Sequence, residues 1–464
     1  MMDGIPAEGA YGGTLLGRLD RRALSNPAAR RVFVLVLIAV LAVPSVQFVL
    51  SINELDTSVY RESGERHRTA LGRWLPTAGV LADPKSGENP YGYGHWFPTP
   101  PLVLISLVPL WKIGYTAAAV VWTVLKIAGF MLGMAWLIRE FGRGGFGAPL
   151  GVLLMAALFS LRPIISDIQH GNLNIFMMVW LAAAWALYLR GNDLWAGMFI
   201  ALAIVTKVTP ALALVYFAYR RAWRVCLGAV VGLVLFFLVL PAWYLGWDRN
   251  LELLRSWFDM LVAPFALHGY VTREIANQSL QGVAVRLLSN AGILSITTMP
   301  TEQALAAGME EMIRPATTLG ALLRPAISLV VLGALAWLCR SRCSSRRDPR
   351  RLLEFGLVLS AMMLLSERTW KHHATTLPII YLGLWFVVAC GPWSDRTRGW
   401  WVAGLVAQVI LLLGTSEGLV GERLGELLLD GGVFCWGLVL CFVQTGAMLW
   451  AMNRGRFRQS AAAS

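Results

Sequence analysis

Residues 32–56 read VFVLVLIAVLAVPSVQFVLSINELD. The part up to Leu50 is apolar enough and long enough to cross a bilayer, which takes about 20 residues of helix. Arg18, Arg21, Arg22, Arg30 and Arg31 precede it, so the N-terminus is expected inside. No small-residue cleavage pattern is apparent, and the run is expected to be a retained signal-anchor. It delivers Glu54 and Asp56 to the opposite interface, where apolar surroundings perturb a carboxylate and a lipid-borne substrate can reach it. Asp56 is therefore a candidate base, and Glu54 is the competing acid.

The whole chain agrees with that start. Of 464 residues, 57% are hydrophobic and 14% charged, against about 25% charged in ordinary soluble domains. The class implied is an all-α polytopic membrane protein. The net charge of +13 comes from Arg clusters between apolar runs, as expected where cytoplasmic loops meet anionic lipid, so no nucleic-acid partner is implied. Trp74, Trp96, Trp247 and Trp400 fall at expected span ends and suit interfacial anchoring. The six Cys show no disulfide framework, and Cys339 with Cys343 lacks a second pair of ligands for zinc, so no metal site is expected.

Further spans are expected at 115–138, 147–161, 173–189, 226–245, 318–338, 353–365, 375–388, 401–413 and 432–452. Two short ones between Arg190 and Arg220 are broken at Lys207-Val208-Thr209-Pro210. Residues 102–110 are apolar but too short to cross and are expected as a re-entrant or surface helix. The total is about twelve transmembrane helices with both termini cytoplasmic. Arg340, Arg342, Arg346, Arg347, Arg350 and Arg351 give the strongest inside signal. The organisation is a basic cytoplasmic segment 1–31, one membrane domain 32–452 with outer loops at 51–101 and 246–315, and a cytoplasmic tail 453–464. In this topology all six His fall on the same outer face as Asp56, which places proton-moving chemistry at the outer leaflet of the plasma membrane.

Several segments together resemble glycosyltransferase family 87, the polyprenol-phosphate-mannose-dependent α-mannosyltransferases of the GT-C fold class. They are Asp56 with Val59-Tyr60, Phe97-Pro98-Thr99-Pro100-Pro101, Gln169-His170-Gly171-Asn172-Leu173-Asn174, Lys207 with Pro210, Asn277-Gln278-Ser279, and Ser366 to His373 with its Trp-x-His-His core. The correspondence runs from about residue 35 to 390. Glu367-Arg368 departs from the Ser-Pro that often stands there, and His170 separates Gln169 from Gly171.

The resemblance implies an inverting transferase that moves mannose, or a related hexose, from a polyprenyl phosphate to an outer-leaflet glycolipid or glycan, with membrane lipids as its solvent and no cofactor. It makes Asp56 the base, with His372 and His373 as its partners, of which one is expected to reach the site. A cation must stabilise the departing phosphate. Lys207 beside a helix break is the candidate, with Arg286 and Arg273 as possible second cations, while the plain reading of Lys207 is snorkelling to the surface. Gln169, His170, Asn172, Asn174, Asn277 and Gln278 are candidates for sugar hydroxyls, although turn and cap residues look the same. Tyr60, His95 and Trp370 complete the expected substrate contacts. A lipid-linked sugar transporter or flippase needs ionisable groups along a through-path rather than at the span ends, and an oligosaccharide ligase is the other alternative.

Overall fold

The computed structural model describes residues 27–52, 69–83, 87–91, 97–142, 150–299, 312–343, 345–391 and 393–456. Asp56, Glu54, Tyr60 and His95 lie outside the described residues.

Helix formation follows the apolar runs. In chain order the helices are α1 (Pro27–Ser51), α2 (Ala70–Val80), α3 (Pro101–Lys112), α4 (Tyr115–Gly142), α5 (Leu150–His170), α6 (Asn174–Arg190), α7 (Asp193–Thr206), α8 (Ala211–Tyr219) and α9 (Trp223–Leu245), the last passing through a π-helical stretch. Next come α10 (Trp247–Trp257), β1 (Val271–Thr272), α11 (Leu280–Asn290), β2 (Ile296–Thr298) and β3 (Met312–Pro315). Then follow α12 (Leu323–Leu338), α13 (Pro349–Leu365), α14 (Leu377–Cys390), α15 (Asp395–Leu413), α16 (Glu422–Asp430) and α17 (Val433–Ala451).

Each of the expected spans has a helix at its place. Among the described residues six helices are long and apolar enough to cross a membrane, while α6, α7 and α14 are apolar but shorter. The stretch at 102–110 is α3, with Pro100 and Pro101 starting it where a missing N–H costs nothing. The fifth helix runs past the expected end at Leu161 because Arg162 is accommodated by a hydrogen bond from its Nε to Ser416 Oγ (2.9 Å).

The main core is built on α6, α13 and α14, which are buried along nearly their whole lengths. Such all-round apolar helices are the interior of a membrane bundle. A second apolar cluster joins the end of α1 (Phe48, Ile52) to α2, α3 and the start of α4. Small residues let α7 and α9 touch: a Cβ on Gly197 would sit 2.0 Å from the Val225 carbonyl oxygen, and one on Gly228 would sit 2.1 Å from that of Leu194.

The bundle has two distinct ends. One gathers basic residues in ion pairs: Arg190 with Glu140 (2.8 Å), Arg220 and Arg351 with Glu354 (2.5 and 3.3 Å), and Arg346 with Asp193. The other end carries the turns after α5, α7 and α13, and residues 246–299 and 312–315. Among the described residues these hold three short strands in the order β1-β3-β2, all antiparallel. Strands of two to four residues leave no alternation long enough to read from sequence.

Candidate functional site

The turn between α5 and α6 is the first piece of the site. Gly171 takes φ +62, and a Cβ there would stand 2.5 Å from the Phe48 ring, so glycine lets α1 close onto the turn. The Gly171 carbonyl accepts from Trp122 Nε1 (3.1 Å). Just before the turn, the fully buried Asp167 pairs with Lys126 of α4 (2.7 Å) and accepts from Asn174 Nδ2 (3.0 Å). Asn174 Oδ1 in turn accepts from Lys207 Nζ (3.3 Å), so a polar chain runs from α4 to the break after α7.

The second piece is the loop after α13. Thr369 Oγ1 donates to the Met363 carbonyl (2.6 Å), and Ser366 Oγ to that of Arg368 (2.7 Å). A short 3-10 turn, Lys371–His373, then presents both imidazoles. His373 Nδ1 accepts from the Trp370 backbone N–H (3.2 Å), and its ring lies parallel to that of Trp370. Asn172 Nδ2 donates to His372 Nε2 (3.1 Å), and the His372 ring stacks on His170 with centroids 4.6 Å apart.

These pieces enclose a cavity of about 170 Å³. Arg73, Lys207 and Arg368 bring three cations to its wall, Glu367 one carboxylate, and Trp74, Phe97, Trp257 and Trp370 apolar surface. Both His372 and His373 line it, where one of the pair was expected. Burial brings the Lys207 ammonium down to about 7, with Glu367 opposing and Arg368 adding to the effect. Burial holds both imidazoles well below the ordinary histidine range, reinforced at His372 by His373 and at His373 by Lys207. At neutral pH the two rings are therefore neutral hydrogen-bonding groups rather than cations. An aromatic-walled cavity with convergent cations suits an anionic group attached to an apolar or saccharide body.

Of the residues singled out from sequence, Asn172, Asn174, Lys207, Trp370, His372 and His373 line the cavity, and His170 backs His372. Asn277, Gln278 and Arg286 do not line it; they hold it from behind. Asn277 donates to the Glu367 carbonyl (3.2 Å) and accepts from the Thr369 N–H (3.1 Å), while the Gln278 N–H donates to the Thr369 carbonyl (2.7 Å). Arg286 is 2% exposed, donates to the carbonyls of Asn277 and Leu429 (3.0 Å each), and pairs with Asp430 (3.3 Å). Arg273 is absent from the wall, and Gln169 bonds Gln47 away from it (3.1 Å). Sequence reading missed Arg73, whose signal was a lone charge in the apolar Leu71–Leu75 run, while Glu367-Arg368, marked there as a departure from the family pattern, lines the wall.

A family model described as glycosyltransferase family 87 matches residues 97–366. Two curated proteins named polyprenol-phosphate-mannose-dependent alpha-(1-2)-phosphatidylinositol mannoside mannosyltransferase are similar. The one from Mycobacterium tuberculosis is 28% identical over 191 residues, 38% of this chain and 43% of that protein. The one from Mycolicibacterium smegmatis is 24% identical over 390 residues, 77% of this chain and 74% of that protein. The chain thus spans less than half the length of the first relative. The crystal structure of ArnT from Cupriavidus metallidurans bound to undecaprenyl phosphate is similar with 17% identity and a TM-score of 0.43, covering 91% of this chain and 78% of that one.

Proposed function

Because this chain belongs to glycosyltransferase family 87, we propose that it is a hexosyltransferase, transferring mannose or a related hexose from a polyprenyl phosphate to a glycolipid or glycan acceptor with inversion at the sugar carbon. The observation that carries this reading is the convergence of Arg73, Lys207 and Arg368 with two neutral imidazoles in one aromatic-walled cavity. The acceptor hydroxyl attacks the anomeric carbon and its proton passes to a carboxylate, while the bond from that carbon to the phosphate oxygen breaks and polyprenyl phosphate leaves. The three cations stabilise the charge that develops on that phosphate. His372 and His373, being neutral, orient hydroxyls rather than balance charge.

Asp56 is the proposed base. Ile52 and Leu71 pack in the apolar cluster that also holds Trp74 and Phe97 of the cavity wall. Four residues of chain reach at most about 14 Å, which limits how far Asp56 can stand from Ile52. The Arg-rich end of the bundle is assigned to the cytoplasm by the positive-inside rule, and the cavity to the outer face of the plasma membrane. Incubating the purified protein with polyprenyl phosphate carrying radiolabelled mannose, together with host membrane lipids, tests the reading. A labelled product of inverted linkage is expected from the wild type and none from Asp56→Asn. Absence of transfer to any acceptor, or full turnover by Asp56→Asn, contradicts the reading or its base respectively.

A further inference from the structure

Glu367 puts a carboxylate on the same cavity wall as the three cations Arg73, Lys207 and Arg368. Its charge reaches both Lys207 and Arg368. An anion in that position works against a phosphate, because it offsets the cations the phosphate needs. Its presence therefore calls for a ligand group that a carboxylate attracts.

The hydrogen bonds around Glu367 leave room for that group. Among the described residues the one hydrogen-bond partner of its carboxylate is the Ser366 hydroxyl, 3.3 Å from Oε2. Ser366 Oγ stands closer to the Arg368 carbonyl, at 2.7 Å, and has a single proton to give. With that proton in the shorter bond, the Glu367 carboxylate is left without a donor, and among the described residues no ion pair holds it either. Its backbone, in contrast, is fixed. The Glu367 carbonyl accepts from Asn277 Nδ2 (3.2 Å) and from Ser279 Oγ (3.4 Å), both on fully buried residues.

A carboxylate accepts only, and its two oxygens are set to receive two neighbouring donors. Vicinal hydroxyls of a sugar present such a pair. An ammonium is the other donor class that suits a carboxylate, but three cations on the same wall repel it. Glu367-Arg368 is also where the sequence departs from the family pattern, so the role of this carboxylate belongs to this chain.

We propose that Glu367 is a specificity-determining residue whose carboxylate accepts from two adjacent hydroxyls of the transferred sugar, an assignment that rests on the reading of the cavity as a site of hexose transfer.

The test is isothermal titration of the full chain in detergent with polyprenyl phosphate, either bare, carrying mannose, or carrying each monodeoxy form of that mannose. Transfer is assayed on the same samples. The wild type should prefer the mannosyl ligand over the bare one by about tenfold or more, as hydrogen bonds to a charged group supply. Glu367→Ser should lose most of that preference while binding bare polyprenyl phosphate at least as tightly as before, and Glu367→Gln, which keeps one acceptor oxygen, should fall between. Two monodeoxy donors lacking adjacent hydroxyls should each bind about tenfold more weakly than the mannosyl donor to the wild type, and no more weakly to Glu367→Ser. Lys207→Gln should weaken bare and mannosyl ligands alike and keep their ratio. Should Glu367→Ser fail to fold, Glu367→Gln at unchanged melting temperature carries the same comparison.

Equal wild-type affinity for the bare and mannosyl ligands overturns the contact, as does a preference that survives in a folded Glu367 variant. Loss of transfer with the preference intact overturns it too, and makes Glu367 a proton acceptor instead. If the wild type transfers no hexose while the preference holds and Glu367→Ser loses it, the transferase reading fails and the sugar contact stands. If transfer proceeds and the preference is the same in Glu367→Ser, the contact fails and the transferase reading stands.

Discussion

The Nε2 of His372 lies 3.1 Å from the Nδ2 of Asn172, joining two turns of the chain 200 positions apart. With Asn172 donating, the His372 proton is placed on Nδ1, so this one contact fixes both the tautomer and the tilt of a ring on the cavity wall. Asn172→Leu removes the donor and leaves the buried Nε2 unsatisfied, at a cost of about 1–3 kcal/mol. The expected result is a lower melting temperature and a drop in kcat of about tenfold or more, since general acid–base and orienting groups contribute about 100-fold or more. Asn172→Gln, if its amide reaches, restores part of both. Melting curves and initial rates with polyprenyl-phosphate mannose check this.

Acid should destabilise the protein through the paired imidazoles. His372 and His373 are held well below the ordinary value by burial, whereas in the unfolded chain they titrate near 6.5. Below that pH the unfolded state binds more protons than the folded one, so stability falls as pH drops, by at most about 1.4 kcal/mol per pH unit for each ring. Denaturation midpoints measured from pH 7.5 to 5 should decline, and His372→Gln should flatten the slope. A pH-independent midpoint over that window contradicts the neutral assignment.

Much of the bundle was legible because hydropathy acts locally. Every expected span corresponds to a helix, and Lys207 stood out because a cation beside a helix break in an apolar chain needs a reason, while Trp370, His372 and His373 entered through the resemblance of the Trp-x-His-His segment to the family. What sequence could not show is direction. Asn277 and Arg286 look like ligand-binding groups, yet their polar atoms are taken up by backbone carbonyls brought from residues 367 and 429 by the fold. Arg73 became part of the wall through the packing of α2 against α3, a tertiary event that no local pattern encodes. The strands were illegible for a different reason, being too short to carry a period.

The Lys207 ammonium, brought to about 7 by burial, should couple donor affinity to pH. An anionic phosphate prefers the protonated amine, so binding above pH 7 must take up a proton and weakens by about tenfold per pH unit until the complex itself titrates. In the ligand-free protein the sign is opposite. Between about 7 and the unfolded value near 10.4 the unfolded chain holds the extra proton, so stability rises with pH across that window. Lys207→Arg keeps its charge at every accessible pH and should bind donor with a flat profile. Isothermal titration with polyprenyl phosphate at pH 6.5, 7.5 and 8.5 reads the difference, and a flat wild-type profile contradicts phosphate contact at Lys207.

Arg286 and Lys207 should separate structure from chemistry. Arg286→Met takes a donor from the Asn277 carbonyl and one of the donors from that of Leu429, which keeps Gln278 Nε2 (2.7 Å), and removes the partner of Asp430, whose side chain is 47% exposed. Losing the hydrogen bonds of a buried guanidinium to backbone carbonyls costs about 1.5–3 kcal/mol. Because Asn277 holds the Glu367–Thr369 backbone, melting temperature and kcat should fall together. Lys207→Met, at the cavity wall, should reduce transfer at least 100-fold with little change in melting temperature. Activity retained by a destabilised Arg286→Met would show that the loop keeps its shape without that support.

The Lys126–Asp167 pair makes the sharpest case for a group acting through others. Both side chains are essentially unexposed, 2.7 Å apart, and the Asp167 carboxylate bonds Asn174, which in turn meets Lys207. Lys126→Met leaves a buried carboxylate uncompensated and should cost about 3–5 kcal/mol. Adding Asp167→Asn removes the stranded charge, so the double variant should regain most of the stability lost by the single one, with a coupling energy of about 1–3 kcal/mol. Asn at 167 can still accept from Asn174, which should preserve the orientation of Lys207, so KM for donor in the double variant should stay within a few fold of wild type while the single variant loses donor binding. Rescue of stability without rescue of KM would mean that the charge itself, rather than the hydrogen-bonded chain through Asn174, sets the position of Lys207.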